Sequence, residues 1–508
     1  MRSWLLALGA LFLVACSPAP TAPARLGDYR SAGELRVATR VDPLSYREDP
    51  DGKGGGFERD LLVALAQRLG VPIQFKTYPD ALGALDAVVR GDAHLAAAGL
   101  THNGNLPVRW SRSLRDVDYV IAGRDDGADL TNERDLAGHT VGVRRGSAAA
   151  DALDAIQRRG TPLKPRHPKA GGDQGLLELV AKGSLEFAAT DEVQFALAAN
   201  YFPSLHIALP LAAKSSIRWA FPDDGAGDLP EQVDAFLAAA HKEGSIARIG
   251  DRYFGHIRRL DEDDITNFLA RIERRLPAYR RHFHDAQAVT GIDWRLLAAL
   301  AYQESQWDPL ATSPTGVRGI MMLTEDTADR LGVDNRLDAR AAILGGGRYF
   351  AMLRDQIPDE VPEPDRSWMA IAAYNLGMGH FNAARQIARG LKRDLTAWLD
   401  IKQVLPLLSK PAYAARLKSG PARGGEAVVT AENVRNYFQI LSHYEPPYVP
   451  PLDAAPIKLP PLRLGSRPKR PTETAMADPP RPSLGLHVPA DAGPLDQDSG
   501  RSTSSPPM

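Results

Sequence analysis

The chain has one cysteine, Cys16, so no internal disulfide can brace any part of its 508 residues. It has no excess of either charge. Its 61 Lys and Arg stand against 62 Asp and Glu, a formal net charge of −1. That balance removes any global electrostatic case for nucleic acid or an anionic membrane surface as partner. The apolar run at the start, Trp4 to Ala15, is 12 residues long, short of the roughly 20 that span a bilayer. Internal repeats are absent, which excludes a solenoid. No metal and no cofactor is expected. What remains is an ordinary soluble composition, 44% hydrophobic and 24% charged, on a chain long enough for two or three domains with real cores.

Met1-Arg2 followed by the Trp4–Ala15 run has the charge and length of a signal-peptide core. The run closes Leu13-Val14-Ala15-Cys16, which resembles the lipobox of bacterial lipoproteins. The resemblance implies cleavage before Cys16 and lipidation of its thiol and new amino terminus. More than one acyl chain makes a stable anchor. By the sorting logic of such proteins, Ser17 then implies the periplasmic face of the outer membrane. The plainer reading of Cys16 is a small apolar residue. Residues 17–29 are rich in Pro, Ala and Ser and read as a tether.

Glu304 is the candidate catalytic group. Asp293-Trp294-Arg295-Leu296-Leu297 opens a helix with Asp293 as N-cap, and Leu297, Leu300 and Glu304 share one face. That face is apolar, so the carboxyl is expected at the edge of a core. There, loss of water disfavours the anion and keeps the proton that a general acid needs. Asp308 is the nearest second acid, but Pro309 biases its backbone out of helix and makes it a turn residue. A glycosidase that uses water normally needs two carboxylates.

Glu304-Ser305, then Gly319-Ile320-Met321-Met322, then Ala373-Tyr374-Asn375-Leu376-Gly377 occur in that order. Together they resemble the soluble lytic transglycosylase domain of bacterial murein-cleaving enzymes. Met321-Met322-Leu323-Thr324 and Ser313-Pro314-Thr315-Gly316-Val317-Arg318-Gly319 are most similar to its membrane-bound members. The resemblance implies a mainly α, lysozyme-like domain acting on peptidoglycan with Glu304 as its one carboxyl. It cleaves the MurNAc-GlcNAc β-1,4 bond without water and leaves 1,6-anhydromuramyl ends. Ser305 is then expected to position the site, unless its hydroxyl only bonds backbone at the helix end. Ser313 and Gly316 fall where the family's loop approaches the sugar chain. Met321 and Met322 fall where it lines the cleft, although methionine more often fills cores. Tyr374 and Asn375 bring an aromatic and a bidentate amide, on a turn attributed to Gly377 and Gly379. Thr430, in Ala427-Val428-Val429-Thr430 ahead of the last helix, replaces a Tyr whose hydroxyl points at the family's active site.

Upstream, strands at 35–39, 71–75 and 93–100 alternate with helices, one of them Leu61–Leu69 closed by Gly70, which indicates an α/β fold. Gly33-Glu34-Leu35-Arg36-Val37, Gly91-Asp92-Ala93, Val143-Arg144-Arg145-Gly146-Ser147 and Ala189-Thr190-Asp191 resemble the type II periplasmic solute-binding proteins, amino-acid-binding group. The resemblance implies two lobes, about 33–121 with a return at 212–256, and 122–211, with a ligand cleft between them. Asp191 matches the acid that meets a ligand's ammonium. Gly146 and Ser147 offer backbone N–H groups at a helix start. Leu106 stands near the place of the Arg that holds a ligand carboxylate, so the ligand is expected to be a muropeptide or other small molecule rather than a free amino acid. A module that has lost binding is the other reading.

The expected plan is a two-lobed α/β solute-binding domain followed by a mainly α transglycosylase domain. Its parts are a signal peptide at 1–15, a lipid-anchored tether at 16–32, the binding domain at 33–258, the lytic domain at 264–445 and a Pro-rich tail at 446–508. That tail is too poor in large apolar residues to offset ordering. Asp264 to His284 reads as one long helix with Ile265, Phe268, Leu269, Ile272 and Leu276 as its stripe, and Arg271, Arg274 and Arg275 partly off it as a solvated basic face. Glu432 to Tyr444 reads as the final helix. The competing function is a periplasmic solute or muropeptide receptor with a catalytically weak lytic domain. An ordinary muramidase is a third.

Overall fold

The computed structural model describes residues 26–48, 54–101, 107–169, 171–415, 417, 420–451, 457, 459 and 461–463. Cys16, the signal-peptide run, Leu106 and the tail beyond 463 lie outside the described residues. The chain divides into two compact units.

The first unit takes in residues 1–258 together with 363–365 and 385–404. It holds two mixed sheets, and its fold is the two-lobed α/β one expected. The first sheet contains β1 (Leu35–Thr39), β2 (Ile73–Thr77), β3 (Leu95–Ala96), β4 (Val108–Trp110) and β10 (Ala220–Pro222), in the order β2-β1-β3-β10-β4. β1 is flanked by a strand on each side and buries Leu35, Val37 and Ala38. It pairs parallel with β2 and β3, and the helix Phe57–Leu69 crosses between β1 and β2. Gly70 closes that helix at φ 70°, where glycine carries no Cβ penalty. The second sheet contains β5 (Arg115–Arg124), β6 (Thr140–Val143), β7 (Lys164–Arg166), β8 (Phe187–Asp191) and β9 (Leu205–Ile217), in the order β7-β6-β8-β5-β9. The lobes change over earlier than the family boundary suggests. β5 pairs with β9 over its whole length, from Arg115 opposite Ile217 to Arg124 opposite Leu205, so all of it belongs to the second lobe.

The later stretches of the first unit are fastened to the helix Ser245–Phe254. Arg252 reaches Asp60 at 2.7 Å and Asp365 at 2.8 Å, Arg248 meets Asp400 at 2.7 Å, and Lys402 pairs with Asp251. Asp365 also accepts the Trp398 backbone N–H at 2.7 Å.

The second unit comprises residues 259–362, 366–384 and 405–508, and its described part is mainly helical. The single helix expected over 264–284 is two, Glu262–Arg274 and Leu276–Thr290. Pro277 is the cause: it has no N–H for the carbonyl four residues back, and its ring crowds that carbonyl. The stripe is as expected. Ile265, Phe268, Ile272 and Leu276 are buried and Leu269 is half-buried.

The last helix is Gly424–Tyr444, beginning eight residues before the expected Glu432. Val428, Val429 and Thr430 argue locally against helix, but Ala427, Thr430, Ala431 and Val434 recur at helical spacing and are all buried. Packing overrides propensity, and Thr430 lies inside the helix rather than ahead of it. Gly424 allows the helix to start there. A Cβ on it would stand 1.9 Å from the Leu405 carbonyl oxygen, whereas one on Gly425 meets nothing within 4 Å. Gly424→Ala should therefore destabilise the protein by about 1–3 kcal/mol. Gly425→Ala should be neutral or stabilise by up to about 1 kcal/mol. Urea unfolding of the two variants checks the contrast, and equal midpoints would refute the close-approach account.

Candidate active site

Glu304 lies near the end of the helix Trp294–Ser305. Asp293 caps the start, as expected, accepting the Arg295 backbone N–H at 2.9 Å and pairing with its guanidinium at 2.6 Å. Trp294, Leu296, Leu297, Ala298, Leu300 and Ala301 are buried, and Glu304 itself is half-buried where this apolar helix reaches the surface. The expectation of a carboxyl at the edge of a core therefore matches its place.

The chain reverses immediately after this helix. Gln306 and Trp307 both take left-handed backbone conformations, φ 55° and 58°, each costing a non-glycine residue about 1–2 kcal/mol. Side chains hold the reversal. Trp307 is fully buried and its indole N–H donates to the Ala298 carbonyl at 2.8 Å. It packs with Phe268 and Tyr302 in an aromatic cluster that also includes Tyr437. Loss of water pushes the Tyr302 hydroxyl above its ordinary range, with Arg271 opposing, and burial pushes Tyr437 well above its own. Both phenols therefore stay protonated at neutral pH. Asp308 is the turn residue expected, its carboxylate accepting the Leu310 N–H at 2.9 Å.

Ser305 is buried, and its hydroxyl bonds both the Ala301 carbonyl at 3.2 Å and the Ile320 carbonyl at 2.8 Å. The second bond ties the loop to the Glu304 helix, so Ser305 bonds backbone and positions the loop at once. In that loop the Ser313 N–H donates to the Val317 carbonyl and the Gly316 N–H to the Ser313 carbonyl, each at 3.0 Å. Gly316 is exposed at φ 81°. Gly319 has no substitute, because a Cβ there would stand 1.8 Å from the Arg336 carbonyl oxygen.

Met321 departs from its expected role as cleft lining. Its side chain is fully buried against Gly346, so it is core. Its carbonyl accepts the Tyr374 hydroxyl at 2.7 Å, which links the loop to the helix Asp365–Leu376. Met322 is half-buried with φ 47°. Tyr374 and Asn375 are half-buried at the end of that helix. Gly377, at φ 85°, makes the turn alone; Gly379 lies within the next helix, Met378–Gly390, and has no positive φ. Ser305 and Tyr374 thus bring Glu304, the loop and the Tyr374-Asn375 turn into one site. Thr430 is buried in the last helix.

Residues not singled out for the site also shape it. Arg271 donates to the Gln306 side chain and, at 3.4 Å, to the Tyr302 hydroxyl. Arg275 donates to the Gln306 carbonyl at 3.1 Å. Their spacing of four, one face of a helix, was the available signal; their partner lies too far along the chain to be read from it. Among the described residues no group of three or more His, Cys, Asp or Glu is arranged to hold a metal ion.

The cleft residues of the first unit are engaged with their own chain. From the first lobe, Arg40 pairs with Asp42 at 3.0 Å and with Asp173 of the second lobe at 3.6 Å, where Arg144 also lies at 3.1 Å. Burial pushes the Asp42 carboxyl up, but Arg40 and the Ser45 and Leu44 amides outweigh it and hold it low. Gln194 of the second lobe donates to both Asp42 oxygens, at 3.0 and 3.2 Å. Asp191 caps its own helix, accepting the Val193 and Gln194 N–H groups at 2.9 and 3.0 Å, with Arg115 at 3.8 Å. Burial pushes its carboxyl up, against Arg115. Ser147 caps the helix Ala148–Arg158, and the Ala148 N–H donates across the lobes to the Thr101 hydroxyl at 3.1 Å. Gly146 presses on Leu82 of the first lobe, whose Cδ2 would stand 2.5 Å from an added Cβ.

Two family models match the chain, one in each half, and the second runs through stretches that pack with the first unit. The family model for bacterial extracellular solute-binding proteins, family 3, matches residues 35–256, and that for the transglycosylase SLT domain matches residues 281–396. Solved structures similar to the chain include a mutant of ArgBP from T. maritima, 21% identical over 45% of this chain and 97% of that one, at a TM-score of 0.40. Another is an ancestral arginine-binding protein bound to arginine, 23% identical over 44% and 98%, also at 0.40. Among curated relatives, the membrane-bound lytic murein transglycosylase F of Nitrosospira multiformis is 41% identical, over 83% of this chain and 88% of that protein. The protein of the same name from Methylobacillus flagellatus is 41% identical over 456 residues, 89% of this chain and 96% of the relative. With such identity across nearly the whole of both sequences and both family models matched in order, the chain belongs to the membrane-bound lytic murein transglycosylase F family.

Proposed function

We propose that Glu304 is the single catalytic carboxyl of this murein-degrading lytic transglycosylase. The observation that carries the reading is its placement. Glu304 ends an apolar helix beside a loop and a Tyr374-Asn375 turn that Ser305 and Tyr374 tie to one another, while the nearest acid, Asp308, is occupied in a turn. One carboxyl suits a reaction that consumes no water. Glu304 gives its proton to the glycosidic oxygen between N-acetylmuramic acid and N-acetylglucosamine, and the C1–O bond breaks. The substrate's acetamido group stabilises the charge at C1. The Glu304 carboxylate then takes the proton of the muramyl 6-hydroxyl, whose oxygen closes onto C1 and leaves a 1,6-anhydro end. Ser313, Gly316, Met322, Tyr374 and Asn375 are assigned to the glycan. The Met321 backbone supports Tyr374, and Thr430 takes the place of the family Tyr.

The solute-binding unit is proposed as a regulatory module for a muropeptide or another small ligand. Of the groups assigned to a ligand, Asp191 accepts its own helix amides through one carboxylate oxygen, and the Ser147 hydroxyl and N–H both meet the Arg144 carbonyl. Membrane association fits the name of the relatives. The proposed means is an acylated Cys16, closing the lipobox-like Leu13-Val14-Ala15-Cys16, on the periplasmic face of the outer membrane.

Three experiments test these assignments. With murein sacculi as substrate, Glu304→Gln keeps the shape but removes both proton transfers, so turnover should fall by about 10²–10⁴-fold or more. Mass spectrometry of the wild-type fragments should find ends lighter by one water than hydrolysis products. Reducing muramyl ends would replace the mechanism with that of a muramidase, and no wild-type product would favour a receptor with a weak lytic domain. Titration calorimetry with the common amino acids should detect no binding; tight binding of any one of them would overturn the cleft assignment. Cys16→Ala should shift the protein from the membrane fraction to the soluble one, and retention after a high-salt wash would sink the lipid anchor.

A further inference from the structure

The basic residues of the helix Glu262–Arg274 and its end are not a solvated face throughout. Arg271 stands over the Tyr302 ring, its guanidinium carbon 5.9 Å from the ring centre, and donates to the Tyr302 hydroxyl at 3.4 Å and to the Gln306 side-chain carbonyl. Arg275, one turn on, donates to the Gln306 backbone carbonyl at 3.1 Å. Arg271 is half-buried, and Arg274 and Arg275 are exposed. The two arginines therefore converge on one residue, and that residue is the first of the two left-handed positions after Glu304.

We propose that Arg271 and Arg275 are positioning residues for the transglycosylase reaction, acting through Gln306 to hold the chain reversal that fixes the Glu304 carboxyl. Three observations carry this. Gln306 occupies a backbone conformation that its own side chain disfavours, so something outside it must hold it there. Its N–H closes the helix by donating to the Tyr302 carbonyl at 2.7 Å, so its side chain, N–H and carbonyl are all fixed. The cationic groups also sit at the carboxyl end of the Glu304 helix, where the helix dipole favours positive charge. Released from this clamp, Gln306 relaxes toward ordinary helix, the last turn extends, and the Glu304 carboxyl leaves its reacting position. Such a loss of geometry lowers the rate of the chemical step and leaves glycan affinity in place. The inference rests on Glu304 being the acid.

The test uses the full-length protein and soluble, uncross-linked glycan strands, following kcat and KM separately, with thermal unfolding in parallel. Arg271→Ala with Arg275→Ala should lower kcat by about 10- to 100-fold with KM changed less than about threefold. Arg271→Lys, which keeps a donor and the charge, should recover most of the loss in an Arg275 background. Gln306→Gly is the second arm: glycine accepts the left-handed position without an anchor, so adding it to the double arginine variant should recover most of the lost kcat, with the unfolding temperature held or raised. An unchanged kcat in the double variant, or no recovery when Gln306→Gly is added to it, overturns the proposal. So does a rise in KM at constant kcat, which would make the arginines glycan contacts. If Glu304→Gln retains wild-type activity, the assignment of the acid fails instead, and the two failures are distinct because only the latter leaves the carboxyl dispensable.

Discussion

The indole N–H of Trp307 donating back to Ala298 is the bond on which the rest of the second unit's site depends. A helix that carries a catalytic carboxyl at its last turn has to stop at one residue and nowhere else. No glycine or proline stops this one. Two ordinary side chains, Gln306 and Trp307, are placed in left-handed backbone, and the cost is offset by burying the indole completely among Phe268 and Tyr302. The buried ring fixes the Trp307 side of the reversal, because it cannot move without opening a cavity, and the arginines hold the Gln306 side. From that fixed end Ser305 reaches Ile320, and from the neighbouring Met321 the chain of bonds runs to Tyr374.

The first unit uses charge where the second uses aromatic packing. Arg40, Asp42, Asp173, Arg144 and Gln194 are taken out of water together, which is costly unless each charge finds a partner. The ion pair of Arg40 with Asp173 and the bonds from Gln194 to Asp42 run from one lobe to the other. In this arrangement the domain's own side chains make the cross-lobe bonds.

Local signals were legible where one residue decides the outcome. Asp293 as a cap, Gly70 as a stop and Asp308 as a turn residue follow from side-chain and backbone chemistry within a few positions. The alternation of strands and helices gave away the α/β unit for the same reason. Pro277 was equally visible, and the long apolar stripe on both sides of it masked the break. The rest depends on contacts distant in sequence. Val428, Val429 and Thr430 are poor helix formers held in helix by what they pack against. Met321 is core because Gly346 leaves room for it. Arg271 and Arg275 find Gln306 about thirty positions away, and no local pattern announces that.

The way the chain is shared between the units has a consequence for how such a protein can be taken apart. The first unit is assembled from three separate stretches, and the last two, 363–365 and 385–404, are interleaved with the second unit. A single cut after Arg258 would take Asp400 from Arg248 and Lys402 from Asp251, and leave Arg252 with Asp60 but without Asp365. Separating the two parts of the chain at residue 258 would therefore also unfasten the helix Ser245–Phe254, where those charges sit.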